Sequence, residues 1–136
     1  MTKNIVYALE PGLAPAEFRD VLVASTLGER RPVGDLARLD TMLRKADIIV
    51  TARHDGKLVG VARAISDFSF CCYLSDLAVD TSYQHQGIGK RLIEETHKAS
   101  GPLTGVHLIA APAAEQYYPK IGMEHVPSCW LIKRAA

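Results

Sequence analysis

A chain of 136 residues, 48% hydrophobic and 23% charged, is long enough to bury a core and is expected to form one domain over residues 1–136. Its net charge of +1 excludes a general field for nucleic acid or an anionic membrane, and no apolar run nears the ~18 residues that span a bilayer. Three cysteines without a CxxC pair, and a start, MTKNIVYALEPG, that lacks the apolar core of a signal peptide, suit a reducing cytoplasm better than a disulfide framework.

Ile5 to Leu9 reads as a first strand, broken at Pro11-Gly12. Pro15 suits a helix's first turn, and Phe18, Val21, Leu22 and Ser25 then share one face. Gly28 ends that helix and opens a charged loop through Arg30 and Arg31 to Gly34. Asp35 is a good N-cap for a second helix with Leu36, Leu39, Leu43 and Ala46 on one side. The period then changes. Ile48 to Arg53 and Lys57 to Ile65 are strands joined by Asp55-Gly56, a two-residue hairpin signal. Tyr73 to Val79 is a buried strand, followed by the turn Asp80 to Ser82. Adjacent Cys71 and Cys72 point to opposite faces of that strand, a poor metal clamp, and no metal is expected.

Gly87 to Ser100 follows as a helix with Ile88, Leu92, Ile93 and Ala99 inward, stopped by Gly101-Pro102. Val106 to Ala110 is a further strand. Ala114, Tyr117, Tyr118 and Ile121 mark a short helix ended by Gly122. Met123 to Val126 and Trp130 to Lys133 read as a terminal strand pair. The order β-α-α-β-β-β-α-β-α-β-β describes an α/β domain on a mixed, mostly antiparallel sheet flanked by helices. Its strand–helix–strand unit from Leu74 to Ala110 must pair parallel.

The chemistry concentrates where the buried strand runs into Gln84-His85-Gln86-Gly87-Ile88-Gly89-Lys90-Arg91. A glycine-rich turn at a helix N-terminus is an anion cradle, because several backbone N–H groups lack intrahelical partners and the dipole favours negative charge. A Walker GxxxxGK[ST] fails here, since its first glycine falls on Gln84 and its hydroxyl on Arg91. A dinucleotide GxGxxG fails at Leu92, and the motif comes late, after a meander.

Gln84-x-x-Gly87-x-Gly89 after LAVD resembles motif A of the GNAT superfamily, the acetyl-CoA-dependent N-acetyltransferases. Some thirty residues on, Ala114-Glu115-Gln116-Tyr117-Tyr118-Pro119-Lys120-Ile121-Gly122-Met123 resembles that family's A-x-x-F-Y-x-K-x-G-F helix. Residues 59–91 are similar to small bacterial members and to plant and cyanobacterial arylalkylamine acetyltransferases. The shared positions are Arg63, Ala64, Ser66, Asp67, Asp76, Val79, Asp80, Tyr83, Gln84, Gln86, Gly87, Gly89 and Lys90.

The resemblance implies acetyl-CoA as co-substrate. Gln84, His85, Gln86, Gly87, Ile88, Gly89 and Lys90 would hold its pyrophosphate, with Arg91 as a further positive charge. Leu77, Ala78 and Val79 would meet the pantetheine arm on a strand that is bulged in the family, with a backbone N–H polarising the thioester carbonyl. Tyr118 matches the acid that protonates the departing thiolate; a core tyrosine is the alternative, and Tyr117 reads as core. Asp76, on the face opposite Leu77, is a candidate base or ammonium ligand. A salt bridge to Arg63 explains it equally well, since a lone buried charge is costly.

Ser75, Asp67 and His125 are further candidates for proton or acceptor contacts. Arg30 and Arg31, between the first two helices, could receive an acidic acceptor group or stand as solvated loop charges. Three positions depart from the family pattern: Ala111 stands where an asparagine is frequent, Pro119 should distort the Tyr118 helix, and Met123 replaces a phenylalanine. The expected reaction is acetyl transfer to a primary amine, whether arylalkylamine, other small amine, amino acid or protein amine. Many such small domains pair through edge strands, so the resemblance leaves a homodimer open, with the strand at Trp130 as the place for it; the sequence itself does not specify the oligomeric state. The rival classes are a non-catalytic acyl-CoA-binding regulator and a nucleotide-binding module.

Overall fold

The sheet is built outward from the turn at Asp55 and Gly56, whose φ angles of 50° and 81° suit a tight two-residue hairpin. It joins β2 (Ile48–His54) to β3 (Lys57–Ser66). On one side β1 (Ile5–Leu9) pairs antiparallel with β2; on the other β4 (Cys71–Val79) pairs antiparallel with β3, and β5 (Gly105–His107) adds parallel to β4. The order is β1-β2-β3-β4-β5. In this computed structural model residues 4–136 are described.

Helices cover both faces. On one, α1 (Pro15–Ala24) and α2 (Leu36–Arg44) bury Phe18, Val21, Leu22, Leu39 and Leu43 against Ile49, Val61 and Ala78. Pro15 opens α1, and the Asp35 carboxylate caps α2 by accepting the Arg38 N–H at 3.0 Å. Leu36 stays exposed. The charged loop between these helices contains a 3-10 turn, Leu27–Arg30. On the opposite face α3 (Ile88–Ser100) packs Ile88 and Leu92 on Val50, Ala52, Val59, Ala62 and Leu74. Its buried stripe continues through Thr96 and Ser100, so the expected Ile93 and Ala99 lie at its margin.

Two features of β4 set the geometry of the sheet's open edge. Arg63 pairs with Asp76 but Ala64 pairs with Leu74, so Ser75 is an extra residue and the strand is bulged there. The bulge resets the alternation. Cys72 and Leu74 point to the α3 side, as do Leu77 and Val79, whereas Ala78 joins the core under α1 and α2. Moreover, β4 pairs with β5 only through Cys71, Cys72 and Tyr73. Beyond Tyr73 no strand pairs on that edge among the described residues, and the two strands form an open wedge.

The C-terminal part differs from expectation. β5 ends at His107 rather than Ala110, and α4 spans only Tyr117–Lys120, with Pro119 inside it and Gly122 at φ 88° closing it. The expected strands at 123–126 and 130–133 are absent; residues 123–136 carry no regular secondary structure. With a three-residue β5 as the last strand there is no long ladder for a further hairpin to extend. Trp130 and Ile132 consequently stand 93% and 97% exposed. Among the described residues no helix is long and apolar enough to cross a membrane.

Candidate active site

The wedge between β4 and β5 leads to the glycine turn. The Asp80 N–H donates to Val59 O of β3. Backbone direction alternates along a strand, so residues 78 and 76 face β3 while the N–H and C=O groups of Leu77 and Val79 face the open edge. In agreement, Gln84 donates from Nε2 to Val79 O at 3.1 Å. Its side chain thereby ties the turn to the end of β4.

At the turn, His85 and Gly87 take left-handed backbone, at φ 63° and 82°, and bring the chain sharply into α3. A side chain at Gly87 would meet open space but would strain this φ. The Arg91 N–H is the first to bond within the helix, to Gly87 O. The N–H groups of Ile88, Gly89 and Lys90 therefore have no intrahelical acceptor and converge on one end, as a pyrophosphate requires. Lys90 is exposed beside them, as are Gln84, His85 and Gln86. Arg91 is engaged elsewhere: its Nε lies 3.0 Å from Glu95, and its guanidinium stacks 4.7 Å from the Tyr7 ring centroid.

The short helix α4 meets this cradle through Tyr117. A Cβ on Gly89 would lie 2.7 Å from the Tyr117 hydroxyl. Gly89 therefore leaves room for a phenol as well as for an anion. Burial pushes the Tyr117 pKa up, and the Lys90 backbone N–H at its oxygen pulls the other way. Tyr117, expected in the core, is instead half-buried at the mouth of the cradle. Tyr118 stacks edge-on against it, at 5.3 Å between centroids and 78° between planes. Burial, and then the neighbouring Tyr117, raise the Tyr118 pKa. None of α4's four residues is fully buried, so its placement depends on such contacts.

Asp76 is fully buried on the α1–α2 side, and both its oxygens accept from guanidinium groups: Oδ1 from Arg31 Nε, Oδ2 from Arg63 Nε. The salt bridge to Arg63 expected as one alternative is present, and Arg31, expected to be either an acceptor ligand or a solvated charge, completes it. Ser75, the bulge residue, is bound by the same two side chains, its O by Arg31 Nη2 at 2.8 Å and its Oγ by Arg63 Nη2 at 3.0 Å. Arg30 is exposed.

Asp67 lies at the far end of β4, where Oδ1 accepts the N–H groups of Ser69, Phe70 and Cys71 and holds the β3–β4 turn. Those bonds lower its pKa to about 2. It organises a hairpin, which explains its place without an acceptor. His125 lies exposed in the segment without regular structure.

Comparison with known proteins bears on this arrangement. Residues 45–124 match the family model of the Acetyltransferase (GNAT) domain. The chain belongs to the GNAT acetyltransferase family. Over 126 residues it is 30% identical to the uncharacterized N-acetyltransferase ycf52 of Pyropia yezoensis, covering 78% of this chain and 71% of that one. Over 77 residues it is 35% identical to GCN5-related N-acetyltransferase 2, chloroplastic, of Arabidopsis thaliana, covering 55% of this chain and 30% of the relative. The chain thus spans about a third of the length of the first curated relatives it matches.

Solved structures share the GNAT fold. A GNAT family acetyltransferase from Streptococcus pneumoniae superposes with a TM-score of 0.75 at 21% identity, covering 96% of this chain and 100% of that one. An aminoglycoside N-acetyltransferase in complex with CoA gives 0.75 at 16% identity, covering 100% and 98%. Within this GNAT domain, sequence reasoning missed the contact of Tyr117 with the cradle and the part of Arg31 in the Asp76 cluster. A carboxylate in an apolar strand signals a cationic partner, and that signal reached Arg63 but not the loop arginine.

Proposed function

We propose that residues 1–136 form a single N-acetyltransferase domain that moves an acetyl group from acetyl-CoA to a primary amine by direct attack on the thioester. The observation that carries this reading is the continuity of the wedge and the cradle. The edge-facing N–H and C=O of Leu77 and the N–H of Val79 suit the amides of a pantetheine arm, while Val79 O already accepts from Gln84. These edge groups lie in series with the N–H groups of Ile88 and Gly89, which have no intrahelical acceptor and suit a pyrophosphate, while the Lys90 N–H beside them meets the Tyr117 hydroxyl. In this reading Ala78 packs under the arm, while Gln84, His85 and Gln86 shape the turn and Lys90 adds positive charge.

In the transfer, the amine nitrogen bonds to the thioester carbonyl carbon and the carbon–sulfur bond breaks. The Leu77 N–H, on the open edge, donates to the carbonyl oxygen as it gains charge. Tyr118 gives its phenolic proton to the sulfur; its raised pKa keeps that proton in place at neutral pH. The proton lost by the amine leaves through water in this reading. Asp76 is assigned away from that step, because both its oxygens already accept from Arg31 and Arg63.

The acceptor class is tested by mixing the protein with acetyl-CoA and a panel of arylalkylamines, aliphatic amines, amino acids and lysine peptides, with thiol release as the readout. Release above the amine-free rate with at least one class supports transfer. Acetyl-CoA binding with no release from any amine favours the non-catalytic regulator. Cys71 and Cys129 are exposed and free, which suits a reducing compartment such as the cytoplasm. A homodimer through the exposed Trp130–Ile132 stretch is checked by sedimentation across a concentration series.

A further inference from the structure

Four hydrogen bonds converge on Ser75 and Asp76 of β4, two from each of two arginines on opposite sides. Arg63 reaches Asp76 and Ser75 from the neighbouring strand, and its Nη1 also donates to Met42 O of α2 at 3.2 Å. Arg31 reaches the same pair from the loop that follows the 3-10 turn Leu27–Arg30, and its Nη1 donates to Arg30 O of that turn at 2.9 Å. Asp76 is fully buried, and the side chains of Arg63 and Arg31 are 10% and 23% exposed. Ser75 is the extra residue of the bulge, and Leu77, whose N–H faces the open edge, comes two residues later.

A bulge interrupts the ladder and leaves its own backbone weakly specified. Here the missing specification is supplied by side chains. The Arg31 guanidinium spans Asp76 Oδ1 and Ser75 O with two parallel N–H groups, a fork that fixes direction as well as distance. The loop between α1 and α2 is thereby joined to the point where β4 leaves β5.

We propose that Arg31 is a positioning residue: acting through Asp76 and Ser75 O, it fixes the β4 bulge and hence the direction of the Leu77 N–H at the transfer site. The functional half of this statement rests on the acetyl-transfer reading above; the mechanical half does not. The link also makes the α1–α2 loop and the cofactor strand move together. A change at the loop is felt at the thioester without any contact between them.

The test uses the full chain with Arg31→Met, which keeps an apolar stem, and Arg31→Lys, which keeps the charge without the fork. Hydrogen exchange is read at Asp76 and Ala78, whose N–H groups face β3, and at α3 as an internal control. Arg31→Met is expected to speed exchange at 76 and 78 about tenfold or more while α3 changes by less than about twofold. It is expected to lower kcat about tenfold with the KM for acetyl-CoA within about threefold, and Arg31→Lys to restore less than half of the loss. Adding Arg31→Met to Asp76→Asn is expected to lower kcat no further, because both act through one cluster.

Uniformly faster exchange across sheet and helices, full recovery with lysine, or additive losses in the double variant would each overturn the proposal. If the wild-type protein releases no thiol with any amine, the transfer reading fails, and exchange at 76 and 78 still decides whether Arg31 holds the bulge.

Discussion

Tyr118 carries the sharpest expectation for a single side chain. Tyr118→Phe removes the phenol and keeps the ring, so acetyl-CoA affinity should hold while kcat falls about a hundredfold or more. Because burial raises the Tyr118 pKa, the alkaline loss of kcat in the wild-type protein should have its midpoint above that of an ordinary phenol, an outcome that a pH–rate profile reads directly. Gly89 and Tyr117 form a testable pair. Gly89→Ala places a methyl group 2.7 Å from the Tyr117 hydroxyl, so the phenol must move within the cradle. Acetyl-CoA affinity should weaken about tenfold, or about 1.4 kcal/mol. Adding Tyr117→Phe, which removes the clashing oxygen, should recover part of that loss in a calorimetric titration.

At the scale of elements, the fold is pinned by carboxylates that accept hydrogen bonds. Glu10, at the end of β1, accepts from Arg53 Nε at 2.7 Å and Nη2 at 2.9 Å and from Thr51 Oγ1 at 2.8 Å, while Arg53 Nη1 reaches Glu17 of α1 at 2.7 Å. Bonding to Arg53 lowers the Glu10 pKa from 4.5, and the bonds at the β3–β4 turn lower that of Asp67 from 3.8 to about 2. A lowered folded-state pKa means stability that is present above the unfolded value and lost as pH falls through the folded one. The melting temperature should therefore decline as pH drops below 4.5 toward 2, and Glu10→Gln should flatten the upper part of that decline and lower the neutral-pH value. A thermal-shift series from neutral pH down to the folded-state value of Asp67 reads both.

The elements that the sequence reveals are those with a complete local signal. The Asp55-Gly56 hairpin, the Pro15 and Asp35 helix starts and the Gly101 stop all rest on residues within a few positions of one another. The bulge at Ser75 leaves no such mark, because CYLSDLAV reads as a mostly apolar run without a period of two, and the parity change shows only once the core partners of Leu74 and Leu77 are known. Arg31 and Asp76 lie 45 residues apart, a distance that periodicity does not bridge. The strands expected at 123–126 and 130–133 carry apolar residues, among them Val126 and the run Trp130 to Ile132, but a strand also needs a ladder to join, and β5 ends at His107. The order of elements through β5 and the places of both motifs were legible; the tie between the α1–α2 loop and the cofactor strand was not.

For the molecule as a whole, one sheet serves two purposes. It buries a core on each face, and where β4 parts from β5 it opens a wedge ending at the α3 N-terminus. The sole tryptophan offers a view of the part left uncovered: with Trp130 at 93% exposure, its fluorescence should be quenched by iodide nearly as efficiently as that of free tryptophan, and protection that grows with protein concentration would reveal the dimer. Everything proposed for the chemistry depends on residues 77–79 and 84–90 holding coenzyme A. Calorimetric titration of acetyl-CoA into the intact protein decides this. Saturable one-to-one binding that CoA displaces, and that ATP and NAD do not, is the expected result; no binding, or displacement by ATP or NAD, would refute it.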